Sequence, residues 1–278
     1  MKPSAQEILK QSSRHLRGSV AAELADANAF VSDDSYELLK FYGSYQGYDR
    51  DTATERKKQK LDKEWEFMLR LKMPAGRLTS AQYLALDALC DTRANGSLRV
   101  TSRQTFQFHQ IVKGNLAPFI AEINHLMLST LGGCGDVNRN VITCPAPVKD
   151  NIHATLEQAA YAVARHLTPL AAAQSYADIF LDGEKLTNNR HPAGGAAAAR
   201  ELPPNDEAPL TPFHAPDPAE PIYGDAYMPR KFKIALGQPE DNCMDALAND
   251  LALLALFDGQ ELVGYNVALG GGFGCKHN

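Results

Sequence analysis

Residues 98–112 read LRVTSRQTFQFHQIV, and the alternation in this stretch decides the fold. Successive side chains of a β-strand point to opposite faces, so every second residue shares a face. One face of the predicted strand is polar and cationic, with Arg99, Thr101, Arg103, Thr105, Gln107 and His109. The other face carries Val100, Phe106 and Phe108, with Ser102 and Gln104 as polar exceptions. The pattern predicts one long strand that buries its apolar face.

A second strand is predicted at residues 66–73, where apolar residues alternate with Arg70 and Lys72 until Pro74 and Gly76 end the strand. Each of the two strands is followed by a helical pattern. Thr79 or Ser80 is expected to cap the first helix, and Asn115 the second. This order of strands and helices predicts an α+β fold, with helices on an antiparallel sheet.

The chain is expected to divide into three parts, which are an N-terminal arm at 1–60 and two domains at 61–133 and 134–278. The second domain should contain a helix near 153–167, a strand at 230–236 and a hairpin with an Asp258-Gly259 turn. Residues 186–221 are rich in Ala, Pro, Gly and Asn, which is typical of a long surface loop.

Composition excludes several classes of function. The 278 residues are 44% hydrophobic and 22% charged, as in soluble globular proteins. A net charge of -5 disfavours nonspecific nucleic-acid binding, which needs a basic surface. The first 18 residues contain no apolar run, so no secretory signal or membrane anchor is expected and the location should be cytoplasmic.

Cysteine usage points to reduced thiols. The five cysteines are odd in number and form no CxxC pair, which argues against a disulfide scaffold and a zinc ribbon. Cys134 and Cys144 flank Arg139 but are interpreted as ordinary buried thiols. No metal ligand is therefore assigned from the sequence.

Three predicted strands each place cations on one face, in the pairs Arg70 with Lys72, Arg99 with Arg103, and Lys231 with Lys233. Clustered cations repel one another unless anions lie between them, so a polyanionic ligand would explain the pattern. The alternative is that these are solvated faces of a half-exposed antiparallel sheet, where polar alternation is ordinary. The pattern alone leaves both interpretations open.

At these residues the chain resembles the nitrite and sulfite reductase family, and within it the sulfite reductase hemoproteins. An ordered series of segments carries the resemblance over nearly the whole chain, at 41–43, 69–76, 98–109, 136–141, 228–233 and 262–272. The resemblance implies a ferredoxin-like half-domain followed by a first siroheme-binding α+β domain, truncated after it. Residues 186–221 are the part least similar to the family.

The resemblance also implies an activity and a site. The activity is part of an assimilatory six-electron reduction of sulfite to sulfide, at a siroheme whose iron is bridged by a cysteine thiolate to a 4Fe-4S cluster. Three residues would hold the macrocycle and its carboxylates: Arg99, Arg103 and Gln107. Four cations would surround the face on which sulfite binds: Arg70, Arg139, Lys231 and Lys233.

The sequence departs from the family in its cysteines. Members continue for a comparable length with four cluster-ligating cysteines, and the five cysteines here do not match that set. The resemblance therefore implies a fragment or one half of a split enzyme, inactive without a cysteine-bearing C-terminal half. The electron donor would be an NADPH-dependent flavoprotein subunit or ferredoxin. A siroheme nitrite reductase fragment and a noncatalytic tetrapyrrole-binding module are the alternatives.

Overall fold

A computed structural model describes residues 3–169 and 220–271, together with the backbone of two short strands at 180–181 and 184–185. The described helices are α1 Ala5–Ser12, α2 Val20–Ala25, α3 Asp33–Leu39, α4 Arg50–Lys58, α5 Ser80–Arg93, α6 Lys113–His125 and α7 Asn151–His166. The described strands are β1 Ser44–Tyr48, β2 Trp65–Arg70, β3 Arg99–Val100, β4 Phe106–Ile111, β5 Phe180–Leu181, β6 Glu184–Lys185, β7 Ile234–Gly237, β8 Leu251–Asp258 and β9 Glu261–Leu269.

The first sheet has four strands in the order β1-β2-β4-β3, and every neighbouring pair is antiparallel. Helices α5 and α6 cover its apolar face, where Phe108 of β4 packs edge-on against Phe119 of α6 at 4.7 Å between ring centroids. The N-terminal residues Leu16, Leu38 and Leu39 are buried in the same core. The expected fold of helices on an antiparallel sheet is confirmed.

The stretch that decides the fold is a hairpin, so the prediction of one long strand at 98–112 was wrong. β3 and β4 pair with each other, and residues 101–105 form the turn between them. The Thr101 hydroxyl accepts a hydrogen bond from the Arg103 backbone N–H, and Gln104 adopts a left-handed φ of 53°. Alternation does not reveal such a reversal, because polar residues suit a turn and a solvated strand face equally well. Val100 is therefore 77% exposed and outside the core.

The predicted helix cap was confirmed at α5 and was wrong at α6. Thr79 caps α5, with a reciprocal capping box to Gln82, as expected. Asn115 does not cap α6, because that helix begins at Lys113 and the cap position is Val112. The capping box of Ser4 and Glu7 at α1 is also present.

The second sheet is mixed. β7 and β8 run parallel, whereas β8 and β9 form the expected antiparallel hairpin, with Asp258 paired to Glu261 and the turn at Gly259 and Gln260, one residue later than predicted. Isolated parallel bridges join Asn138 to Phe232 and Ile142 to Ala235, so the segment 138–142 runs along β7. Helix α7 buries Leu156 and two alanines against this sheet.

The predicted loop at 186–221 lies almost entirely outside the described residues. Within the part of the chain that is described, no helix has both the length and the apolarity needed to cross a membrane.

The alternation had predicted that Lys72 shares the cationic face of Arg70, and this prediction was wrong. β2 ends at Arg70, and the Lys72 side chain is only 1% exposed, with its Nζ donating to Thr168 Oγ1 at 3.1 Å. Burial lowers the pKa of Lys72 to about 8, because a charged ammonium is poorly solvated there. This lysine is a cost to folding at neutral pH.

At pH 7 the Lys72→Met variant is expected to have a free energy of unfolding higher than that of the unmodified chain by on the order of 3 kcal/mol. It should therefore unfold at a higher denaturant concentration. The lysine is charged in both states below its lowered pKa, so the folded state carries the full penalty there. The stability of the unmodified chain should rise between about pH 8 and the ordinary lysine value of 10.5. Chemical denaturation across this range tests both statements. A variant with an unchanged pH profile would contradict the assignment.

Candidate anion-binding site

Three of the predicted site residues form a row across the first sheet. In the strand register, Gln107 of β4 lies opposite Arg70 of β2 on one side and opposite Arg99 of β3 on the other. Directly opposed residues of antiparallel strands point to the same face, so the two guanidinium groups flank the Gln107 amide. This row, Arg70, Gln107 and Arg99, is called the sheet row.

His109 lies beside the sheet row. One of its ring nitrogens, Nε2, is 3.3 Å from Gln107 Oε1. Burial lowers the pKa of His109, and the charges of Arg99 and Arg70 lower it further. A histidine that is influenced by both arginines indicates that the two cations share one electrostatic environment. At neutral pH His109 therefore favours its neutral form and serves as a hydrogen-bonding group.

The loop at 133–139 brings a second arginine to the end of β2. Gly133 lies so close to β2 that an added Cβ would be 2.5 Å from the Arg70 carbonyl oxygen. Arg139 then folds back on its own loop, donating from Nε to the Gly135 carbonyl at 2.7 Å and from Nη1 to the Gly133 carbonyl at 3.2 Å. Between the two arginines lies Cys134, whose Sγ accepts from Arg70 Nη1 at 3.3 Å.

Tyr45 of β1 completes this corner of the site. Burial raises the pKa of its phenol, Cys134 raises it further, and a hydrogen bond with Arg139 opposes the increase. The phenol therefore stays protonated at neutral pH, next to a guanidinium and a thiol. It adds a hydrogen-bond donor to a group of cations.

Two backbone hydrogen bonds bring the lysines to Arg139. The Arg139 N–H donates to the Phe232 carbonyl at 2.8 Å, and the Phe232 N–H donates to the Val137 carbonyl at 3.1 Å. Lys231 and Lys233 flank Phe232 in sequence. Burial lowers the pKa of Lys231, and the positive charges of Lys233 and Arg139 lower it further.

Asp250 is an acidic residue that lies beside the two lysines. It accepts the Lys233 backbone N–H at 2.8 Å and opposes the lowering of the pKa of Lys231. The structure thus brings together four predicted residues in what is called the basic cluster: Arg70, Arg139, Lys231 and Lys233. Within the part of the chain that the structure describes, the four cations outnumber Asp250 and leave the basic cluster with an excess of positive charge, which suits a multiply charged anion.

Arg103 has a different environment from the sheet row. Its guanidinium donates to the carbonyls of Asn140 and Ile234 and to the side-chain oxygen of Asn249. Strand parity had placed Arg103 on the face of Arg99, but it lies in the turn and reaches the second sheet. Burial, together with the nearby charge of Arg139, lowers its pKa to about 10. Most of its N–H groups are used by the protein itself.

Sequence reasoning missed Tyr45, Cys134 as a partner of Arg70, and Asp250. Tyr45 and Asp250 carry no motif, and each comes from a segment far in sequence from the residues that it meets. Cys134 was taken as a buried thiol, which is correct for its burial but omits its arginine partner.

The fold and site define an α+β protein that gathers cations at the junction of two sheets. A family model described as the nitrite/sulfite reductase ferredoxin-like half domain matches residues 59–126, and one described as the nitrite and sulphite reductase 4Fe-4S domain matches residues 164–278. The chain belongs to the nitrite and sulfite reductase family.

Curated relatives support this membership. The chain is 42% identical over 98% of its length to the hemoprotein beta-component of NADPH sulfite reductase from Staphylococcus saprophyticus, and equally identical to that of Myxococcus xanthus. It spans 43% of the length of each of these relatives. The structure of the NirA protein of Mycobacterium tuberculosis shares the fold, with a TM-score of 0.61 at 19% identity, over 98% of this chain and 41% of that one.

The Arg103→Met variant is expected to lose about 2 to 4 kcal/mol of folding stability in the isolated chain, because the buried carbonyls of Asn140 and Ile234 would lose their donor. Arg99→Met is the matched control. Arg99 is exposed, so its loss should change the stability by less than about 0.5 kcal/mol. Urea denaturation of both variants measures the difference. Equal stability of the two variants would show that Arg103 has no structural role.

Proposed function

We propose that this chain is the sulfite-binding and siroheme-binding part of an assimilatory sulfite reductase, which reduces sulfite to sulfide with six electrons. The observation that carries the proposal is the basic cluster, whose four cations come from three separate segments that the fold brings together. Relatives named sulfite reductase align over almost the whole chain, which supports the same assignment.

The donor set fits the periphery of siroheme, which is a polycarboxylate. Arg99 and Gln107 offer a guanidinium and an amide on one face, and an arginine fork can bind a carboxylate through two hydrogen bonds. Arg103 would contribute less directly, because its protein bonds already fix it between the sheets. We assign Arg99 and Gln107 to the carboxylates and Arg103 to the support of that site.

The described residues do not fit a 4Fe-4S cluster, which needs four cysteine thiolates. Among them, Cys90 and Cys134 lie apart from Cys144 and Cys243. The range matched by the 4Fe-4S family model contains two cysteines, Cys243 and Cys275. We therefore propose that the cysteine thiolates that would hold the cluster come from a cysteine-bearing partner segment.

The basic cluster has two tasks in the proposed reaction. Its charges bind the sulfite dianion and compensate negative charge that builds up on oxygen during S–O cleavage. Each cleaved oxygen leaves as water, so it also needs protons. Lys231 is suited to donate them, because its lowered pKa makes its ammonium a stronger acid than an ordinary lysine. Siroheme, when bound, would supply the electrons.

The electron donor in this proposal is an NADPH-dependent flavoprotein subunit or ferredoxin, in the cytoplasm. Nitrite is the competing substrate within the family. Four cations favour a dianion over a singly charged anion, since the attraction grows with the charge of the ligand.

Lys231→Met and Lys233→Met are expected to lower turnover of sulfite by roughly tenfold to a hundredfold, the loss of one charge-assisted contact in a shielded site. The assay uses the chain combined with the cysteine-bearing portion of a full-length relative. Siroheme content, measured by absorbance, should stay near that of the unmodified assembly. Lys57→Met, an exposed lysine of α4 at the opposite end of the first sheet, is the control. Normal turnover and product distribution in both cluster variants would refute their role.

Anion binding is expected to weaken with rising pH earlier than ordinary lysines would allow. The pKa of Lys231 is lowered, so this residue loses its charge at a lower pH than an ordinary lysine does. Sulfate is a suitable probe, because its own charge is constant over this range. Its thermal stabilisation of the full chain should decline toward alkaline pH. In Lys231→Met that early part of the decline should be absent, and an identical profile in both proteins would contradict the prediction.

A further inference from the structure

A second group of metal-ligating side chains lies outside the basic cluster. Ligand atoms of Cys144, Asp241 and Cys243 all lie within 4.8 Å of one another. Cys144 is buried, Asp241 is partly buried and Cys243 is exposed, so the group opens to solvent on one side. Neither the proposed reaction nor the family matches give this group a task.

The fold places these residues together through backbone pairing. The Ile142 N–H donates to the Ile234 carbonyl at 3.2 Å, and the Leu236 N–H donates to the Ile142 carbonyl at 2.8 Å. These bonds hold the segment before Cys144 along β7. A turn after β7, closed by the Asp241 N–H on the Gln238 carbonyl at 3.1 Å, then returns Asp241 toward it.

The turn is also fixed beyond Asp241. The Cys243 N–H donates to Asp241 Oδ1 at 3.0 Å, and the Ala246 N–H donates to Asn242 Oδ1 at 2.7 Å. Ligands on a segment with this many internal bonds need little reorganisation to bind an ion. Preorganisation of this kind raises affinity by lowering the entropy lost on binding.

The distance between the Cys243 thiol and the Asp241 carboxylate matches one edge of a tetrahedral zinc site. With typical Zn–S and Zn–O bond lengths, neighbouring ligand atoms are separated by about 3.6 to 3.8 Å. Cys243 Sγ lies 3.5 Å from Asp241 Oδ2. Two thiolates and one carboxylate also match the preference of Zn²⁺ for sulfur, nitrogen and oxygen donors.

We propose that Cys144, Asp241 and Cys243 bind one Zn²⁺ ion, with water in the fourth position. The ion would tie the segment that follows the 138–142 bridges to the turn between β7 and β8. The positive charge of the ion would stabilise the two thiolates and the carboxylate that bind it. This site is separate in its ligands from the basic cluster.

The test is a metal titration of the full chain with Co²⁺ and then Zn²⁺, under anaerobic reducing conditions. It is done in a Cys275→Ser background, so that this further cysteine adds no ligand. One equivalent of Co²⁺ should produce the near-ultraviolet absorption of thiolate-to-cobalt charge transfer, and Zn²⁺ should remove it. Cys243→Ser and Cys144→Ser should each lower the affinity by roughly tenfold or more.

Cys90→Ser is the matched control, since Cys90 is a free thiol of α5 outside the group. The affinity of this variant for Co²⁺ and Zn²⁺ should equal that of the unmodified chain. Asp241→Asn should weaken binding yet keep the charge-transfer band, and it serves with Cys243→Ser if the buried Cys144→Ser fails to fold. The proposal is overturned if the reduced chain binds no ion, or if binding survives in a Cys144→Ser, Cys243→Ser double variant. A chain that binds no ion but forms a Cys144–Cys243 disulfide on oxidation also overturns it, in favour of a redox pair.

Discussion

The structure depends on a polar joint between Arg103 and Asn140. The Asn140 side-chain amide accepts a hydrogen bond from the Met73 N–H at 2.9 Å and donates to the carbonyls of Met73 and Arg103. The backbone carbonyl of Asn140 accepts from the Arg103 guanidinium. Arg103 continues to Ile234, in the second sheet. Buried polar groups that pair only with one another allow a single arrangement, because any shift leaves donors and carbonyls unsatisfied. This joint therefore fixes how the two sheets meet.

The position of the basic cluster follows from that joint. Arg70 comes from the first sheet, Lys231 and Lys233 come from the segment that leads into β7 of the second sheet, and Arg139 lies next to Asn140 in the connecting segment. A small rotation of one sheet against the other would separate these charges. Cations that repel one another do not assemble unaided, so their approach is maintained by backbone carbonyls, by Asp250 and by packing elsewhere. An anion bound there, as proposed above, would relieve the repulsion, and this would link binding to the geometry of the joint.

The buried cations have opposite effects in different places. Among the described residues, the Lys72 ammonium bonds to the Thr168 hydroxyl and weakens the fold at neutral pH, whereas Arg103 satisfies the carbonyls of Asn140 and Ile234. The difference lies in geometry, since a planar guanidinium has five donors in fixed directions and an ammonium is a compact point charge. The buried cysteines also have different neighbours. Cys134 contacts an arginine, whereas Cys144 lies beside a carboxylate and a second thiol.

The sequence by itself determined the class of fold, the helix α5 with its cap, the β8–β9 hairpin and the family, because alternation, capping boxes and Asp-Gly turns are local signals. Only the tertiary structure decided that residues 98–112 reverse direction, that Arg103 joins the sheets, and that Lys72 is buried. It alone brought Tyr45 and Asp250 to the cations, and Asp241 and Cys243 to Cys144. Those outcomes depend on contacts between segments distant along the chain, and a periodic pattern carries no information about which distant segment a side chain will meet.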